Sequence, residues 1–184
     1  MGEFSKIYKT DLSDRQLMQF WGMVQAAGRD RSVTYCMEPK DGAAFCRWMR
    51  QDDVHPWLIL FRNVPCGLFF LTDLQGKSAQ CHFCTLPMGT HRTQGQLPAV
   101  VGFGAYSLGS VLWEKNESGG FRLDTVIGIT PTCNKDALKF IHKVGAQDVG
   151  TIPGACWYYD TGENVPGLVT VYTRETLPEW TAKL

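Results

Sequence analysis

Cys81-His82-Phe83-Cys84 brings two thiols and an imidazole within four residues. Thiolates and imidazole are zinc ligands, and a thiol served by an imidazole is the pair that nucleophilic acyl transfer uses. A strand through this stretch would turn Cys81 and Cys84 to opposite sides, a poor geometry for sharing one ion. No second C-x-x-C and no H-x-x-x-H occurs to complete a metal set. For a nucleophile, Cys84 or Cys133 could work with His82 or His142, yet no sequence rule joins them. Asn134 stands ahead of an apolar periodic run, where it could cap a helix or meet a ligand.

The elements that must carry these residues follow from periodicity. Ile7 and Tyr8 sit in a short opening strand. Ser13-Asp14-Arg15-Gln16 forms a capping box, after which Leu17, Phe20, Trp21 and Val24 recur at helical spacing to Gly28. Asp41 caps a second helix with Ala44, Phe45, Trp48 and Met49 on its apolar face; Val33 to Met37 between them is ambiguous. From Trp57 the period changes. Trp57–Phe61, Gly67–Thr72 and Ala79–Leu86 read as three strands, closed by Pro87. Turns this short demand an antiparallel meander, because a parallel return needs a crossover of about a dozen residues. Residues 97–113 form a helix with Pro98 in its first turn. Val126 to Thr130 is a strand stopped by Pro131, and Ala137, Leu138, Ile141 and Val144 form a helix capped by Asn134 and closed by Gly145. Ala155–Tyr159 and Leu168–Tyr172 make a final antiparallel pair. The order is (β)-α-α-β-β-β-α-β-α-β-β, a mixed α/β sheet in one domain spanning residues 1–184.

Composition narrows the function. With 44% hydrophobic and 20% charged residues the chain is an ordinary globular one, and a formal charge of zero gives no basic face for nucleic acid. Asp11, Asp14, Arg15, Arg29 and Asp30 interrupt the first thirty residues, so no signal-peptide core is present, and no run of eighteen apolar residues marks a membrane span. A soluble cytoplasmic protein is expected. Its seven cysteines are then reduced and mostly buried thiols.

Residues 122–146, RLDTVIGITPTCNKDALKFIHKVGA, resemble the late strand and helix of the GNAT superfamily of acyl-CoA-dependent N-acyltransferases, whose pattern is N-x-x-A-x-x-L-Y-x-x-x-G-F. Asn134, Ala137 and Gly145 match; Ile141 stands where the family has a tyrosine and Ala146 where it has an aromatic. The element order matches over nearly the whole chain. The resemblance implies a GNAT fold and acetyl-CoA as co-substrate. It also implies a primary amine as acceptor, on a small molecule or a protein, attacking directly in a ternary complex. The family's diphosphate loop, Q/R-x-x-G-x-G/A, falls on Arg92, Thr93, Gln94, Gly95, Gln96 and Leu97, where Leu97 departs from the small final residue. Orphan amides at a helix start are suited to anions. The pantetheine arm would lie along the backbone of Cys84, Thr85 and Leu86, with Asn134 opposite. His82 or Asp124 would serve as general base, and Tyr158, Tyr159 or Cys133 would replace the missing tyrosine. The alternative is a GNAT-fold protein without turnover. Divergent chains of this kind resemble ones encoded by tailed bacteriophages, where the role would be to bind a host or virion protein.

Overall fold

The computed structural model describes residues 3–30, 41–158 and 161–183. Its elements are β1 (Phe4–Tyr8), α1 (Asp14–Ala26), α2 (Gly42–Met49), β2 (His55–Phe61), β3 (Val64–Gln75), β4 (Ser78–Thr85), α3 (Ala99–Leu112), β5 (Thr125–Pro131), α4 (Lys135–Val144), β6 (Gln147–Tyr158), β7 (Glu163–Tyr172) and a closing 3₁₀ turn (Glu179–Lys183). The order is the one the periodicity predicts. The ambiguous Val33–Met37 segment lies outside the described residues.

Local rules explain most boundaries. Ser13 closes a reciprocal capping box, its Oγ accepting from the Gln16 N–H at 3.3 Å while Gln16 Oε1 accepts from the Ser13 N–H at 2.9 Å. Asp41 accepts from the Ala44 N–H at 2.7 Å and starts α2. Pro98 sits at the N-cap of α3, one position earlier than expected, with no side-chain cap. β6 and β7 run longer than their apolar cores, because Gln147, Asp148, Gly150, Thr151 and Ile152 pair with β7 although all of them are exposed. Exposed backbone pairing leaves no hydrophobic period to read.

Among the described residues seven strands form one sheet in the order β1-β2-β3-β4-β5-β7-β6. All neighbours are antiparallel except β4 and β5. The pleat divides two cores. Ile59, Phe69, Cys81 and Val126 face α3 and α4 together with Phe103, Leu108, Ile141 and Val144. Leu58, Leu68, Phe70 and Cys84 face α1 and α2, against Phe20, Trp21, Phe45 and Met49. Trp21 stacks on Phe45 at 4.7 Å, so the helix aromatics are core. Cys81 and Cys84 lie in opposite cores, as strand alternation requires.

Gly145 anchors α4 to the rest. Its φ of 105° is left-handed, and a Cβ there would lie 2.3 Å from the Thr176 carbonyl oxygen. Gly145→Val is expected to lose roughly 1–3 kcal/mol or more from backbone strain alone. An unchanged urea midpoint would refute this account of the helix end.

Candidate active site

β4 and β5 begin as a parallel pair and then separate. Ser78 pairs with Thr125, Ala79 with Val126 and Gln80 with Ile127, after which neither strand pairs with the other. The parted ends, Cys81 to Thr85 and Gly128 to Pro131, leave a slot through the sheet. A cavity of about 550 Å³ occupies it. Gly28, Arg29 and His82 line one side, and Val100, Ala137, Phe140 and Ile141 the other. The slot is therefore open towards both helical layers. Phe83 and Phe140 meet edge to face at 5.3 Å and wall the cavity on the α3–α4 side.

Strand parity decides which backbone groups face the slot. Leu86 donates its N–H to the Cys66 carbonyl at 2.9 Å, which fixes the alternation of the β3–β4 ladder. Counting back by twos, Cys84 and His82 also direct their N–H and C=O to β3, while Cys81, Phe83 and Thr85 direct theirs to the slot. The expected trio of Cys84, Thr85 and Leu86 is corrected accordingly: only Thr85 presents its backbone there, and only Thr85 of the three lines the cavity. On the other bank, Thr132 donates to the Pro166 carbonyl at 2.9 Å, and the same counting turns the backbone of Ile129 and Pro131 inward.

Asn134 is a cap and a wall at once. Its Oδ1 accepts from the Ala137 N–H at 3.1 Å and its side chain lines the cavity, so Nδ2 remains to donate into the slot. Family-like loop residues behave otherwise. The Thr93 N–H goes to the Leu97 carbonyl at 2.9 Å, the Gln96 N–H to the Thr93 carbonyl at 2.9 Å and the Leu97 N–H to Thr93 Oγ1 at 3.2 Å. Arg92 donates to the Gln96 carbonyl at 2.8 Å. The expected open nest of amides is thus a closed turn. Its Gln94 N–H does hold an anion: the Glu3 carboxylate at 2.6 Å, which Arg62 also binds at 2.6 Å. The Gln94 amide, and after it Arg62, holds the Glu3 carboxyl below the usual carboxylate range. Arg92 to Leu97 lie off the cavity wall, whereas Val100 in the first turn of α3 lies on it. Among the described residues the Val100 N–H has no backbone partner.

The two candidate bases are not brought together. His82 lines the slot from the α1–α2 side, its ring stacked on Phe70 at 4.5 Å. Burial pushes the His82 imidazole down to about 4, against the opposing pull of Asp73. It is neutral near neutral pH, the state a base requires. Asp124 sits at the paired end of β4 and β5, bound by Arg174 at 2.6 Å and Lys77 at 3.4 Å, and does not line the cavity. Arg174 and then Lys77 hold its carboxyl below the ordinary value.

None of the expected tyrosine substitutes reaches the slot among the described residues: Tyr158 and Cys133 lie off its wall, and Tyr159 is outside the description. Ile141 does line the slot, where the family pattern has its tyrosine. The residue missed is Tyr172. It projects from β7 onto the same wall, fully buried, and its hydroxyl makes no hydrogen bond of ordinary geometry, the Thr170 side chain being its polar neighbour. Burial, with Cys81 nearby, raises its phenol well above the ordinary range, so it stays a proton donor. Its place in the final strand pattern was legible, but its presence on the slot wall was not. A buried unpaired hydroxyl destabilises by about 1–3 kcal/mol, so Tyr172→Phe is expected to melt higher than wild type. The cysteines offer no thiolate here: burial pushes Cys81 up to about 12 and Cys84 higher still.

The chain is similar to the Salmonella typhimurium acetyl transferase that modifies the N-terminal serine of 50S ribosomal subunit protein L7/L12, with a TM-score of 0.70, 8% identity, and 94% and 96% of the two chains covered. The fold is that of the GNAT acetyltransferases. Spermidine N-acetyltransferase from Vibrio cholerae, solved with CoA and spermine, shares this GNAT fold at a TM-score of 0.65, 11% identity and 95% and 97% coverage. Mycobacterium smegmatis RimJ, solved with CoA-disulfide, follows at 0.64, 12% and 94% and 84%. No family model matches the sequence, and no curated protein matches it. Among the described residues no helix is long and apolar enough to cross a membrane.

Proposed function

We propose that this GNAT-fold chain is an acyl-CoA-dependent N-acyltransferase, transferring an acetyl group from acetyl-CoA to a primary amine in a ternary complex. The single observation that carries the reading is the slot between β4 and β5, open to both helical layers and lined by Asn134 and Tyr172. The structural neighbours, acetyltransferases that include CoA-bound ones, support it.

The bound thioester would supply an acyl carbon to which the amine nitrogen bonds while the carbon–sulfur electron pair leaves on sulfur. The chain's own residues do the rest. Backbone groups of Phe83 and Thr85, with the Cys81 carbonyl, would pair with the pantetheine amides as an added strand does, and Asn134 Nδ2 would hold the arm from the opposite bank. At the outer end, the diphosphate would meet the Val100 amide and compete with the Glu3 carboxylate for the Gln94 N–H and Arg62. Arg92, Thr93, Gly95, Gln96 and Leu97 shape that turn. His82 would receive the proton of the amine arriving from the α1–α2 side. Asp124, held by two cations, would support the strand start. Tyr172 would donate its unpaired hydroxyl to the departing sulfur, the duty Ile141 cannot perform. Tyr172→Phe should therefore lower turnover on the order of 10-fold, the worth of one hydrogen bond, although it stabilises the fold. Unchanged kcat would remove the phenol from the reaction.

The test of the reading is calorimetry with acetyl-CoA followed by transfer of labelled acetyl to a panel of amines and amino-terminal peptides. Absence of binding at millimolar acetyl-CoA would reject it. A second reading is favoured by one observation, the closed turn at Arg92–Leu97: a fold retained without turnover, encoded by a phage and binding a host or virion protein in the host cytoplasm. A stoichiometric partner captured without acyl-CoA, and not acetylated by it, would select that alternative.

A further inference from the structure

We propose that Thr72 and Asp73 are positioning residues that fix the tautomer of His82, making Nδ1 the nitrogen that receives the amine proton. Thr72 Oγ1 carries one hydrogen, and Asp73 Oδ2 lies 3.0 Å away as its acceptor. An ionised carboxylate accepts and never donates, so the hydroxyl hydrogen points to Asp73. His82 Nε2 lies 3.0 Å from the same Oγ1. With its hydrogen committed, Oγ1 can only accept there, and Nε2 must carry the ring proton. A neutral imidazole has one N–H, which leaves the lone pair on Nδ1.

The backbone is bent to permit this chain of contacts. On a regular strand Thr72 and Asp73 would face opposite sides. The β3–β4 register breaks between Thr72 and Gln75, and Asp73 adopts a left-handed φ of 51° that returns its carboxylate to its neighbour's hydroxyl. Thr72 pairs across the strands with Gln80, so it reaches His82 diagonally while Phe70, the direct partner of His82, holds the ring plane by stacking. When Nδ1 takes the proton, the imidazolium faces the Asp73 carboxylate through Thr72, and Arg29 is the cation on the same side of the slot. No net charge is created in the transfer, since the amine gives up the proton that the imidazole gains.

The destination of the proton rests on the acyltransferase reading; the tautomer does not. Long-range ¹⁵N–¹H spectra of histidine-labelled protein read the tautomer directly. Wild type should show His82 protonated at Nε2 with an unprotonated Nδ1. Thr72→Val should lose that preference and Thr72→Ser should restore it. Asp73→Asn, whose amide can donate to Oγ1, should turn the hydroxyl hydrogen towards Nε2 and move the ring proton to Nδ1. A wild-type ring protonated at Nδ1, or one unmoved by Thr72→Val, overturns the proposal. In turnover, Thr72→Val should lower kcat about tenfold at unchanged KM, with recovery in Thr72→Ser. The expected tautomer in a protein that binds acetyl-CoA but acetylates no amine would uphold the positioning and overturn the acyltransfer beneath it.

Discussion

Ala137→Trp is expected to weaken acetyl-CoA binding by at least about 100-fold, equal to roughly 2.7 kcal/mol, in a protein that remains folded. Ala137 lines the slot beside Asn134 and is only half-buried. An indole there would fill the volume through which the pantetheine arm must pass. The change leaves the cap intact, because Asn134 bonds the backbone N–H of residue 137 and not its side chain. Trp in place of Ala costs a helix only about 0.5 kcal/mol, too little to unfold α4. Calorimetry with acetyl-CoA beside a thermal melt separates the two effects. Full affinity in the variant would mean that the thioester does not lie between β4 and β5, and the proposed function would fall with it.

His82→Gln should retain acetyl-CoA affinity and lose turnover by about 10²–10⁴-fold, the usual contribution of a positioned base. Glutamine keeps polarity and approximate size but cannot accept a proton near neutral pH. The pH behaviour gives an independent readout. Because burial holds the folded imidazole to about 4, below the ordinary 6.5, the unfolded chain binds more protons between these values. Stability due to this residue is therefore full above about pH 6.5 and declines as pH falls towards 4. The acid limb of kcat/KM should likewise lie near 4, and His82→Gln should flatten this part of the stability profile. An acid limb near 6.5, with the stability profile unchanged in the variant, would assign the base elsewhere.

Particular residues show how far the sequence reaches. Ser13, Asp41, Asn134 and Gly145 mark helix ends because caps act within three or four residues, and all four lie where their types predict. Cys81 and Cys84 separate into two cores because alternation along a strand is a local rule. His82 was legible as a slot residue once β4 was placed beside the late strand. The loop from Arg92 to Leu97 was not, because its amides are closed partly by Glu3, some ninety residues earlier in the chain. Asp124 was misleading for a similar reason: Arg174, fifty residues later, binds it at the paired end of the strands.

The sequence by itself determined the order of elements, the Asn134 cap and the alternation that parts Cys81 from Cys84, since each follows from short-range periodicity and backbone chemistry; the place of Asn134 opposite the meander's last strand came from the family resemblance. Only the tertiary structure decided that β4 and β5 pair for three residues and then part, which amides consequently face the slot, and that Tyr172 lines the same cavity as Ile141. Those facts depend on strands distant in sequence meeting in a particular register. A register carries no local signature, because the same alternating side chains would satisfy the pleat at any shift of two.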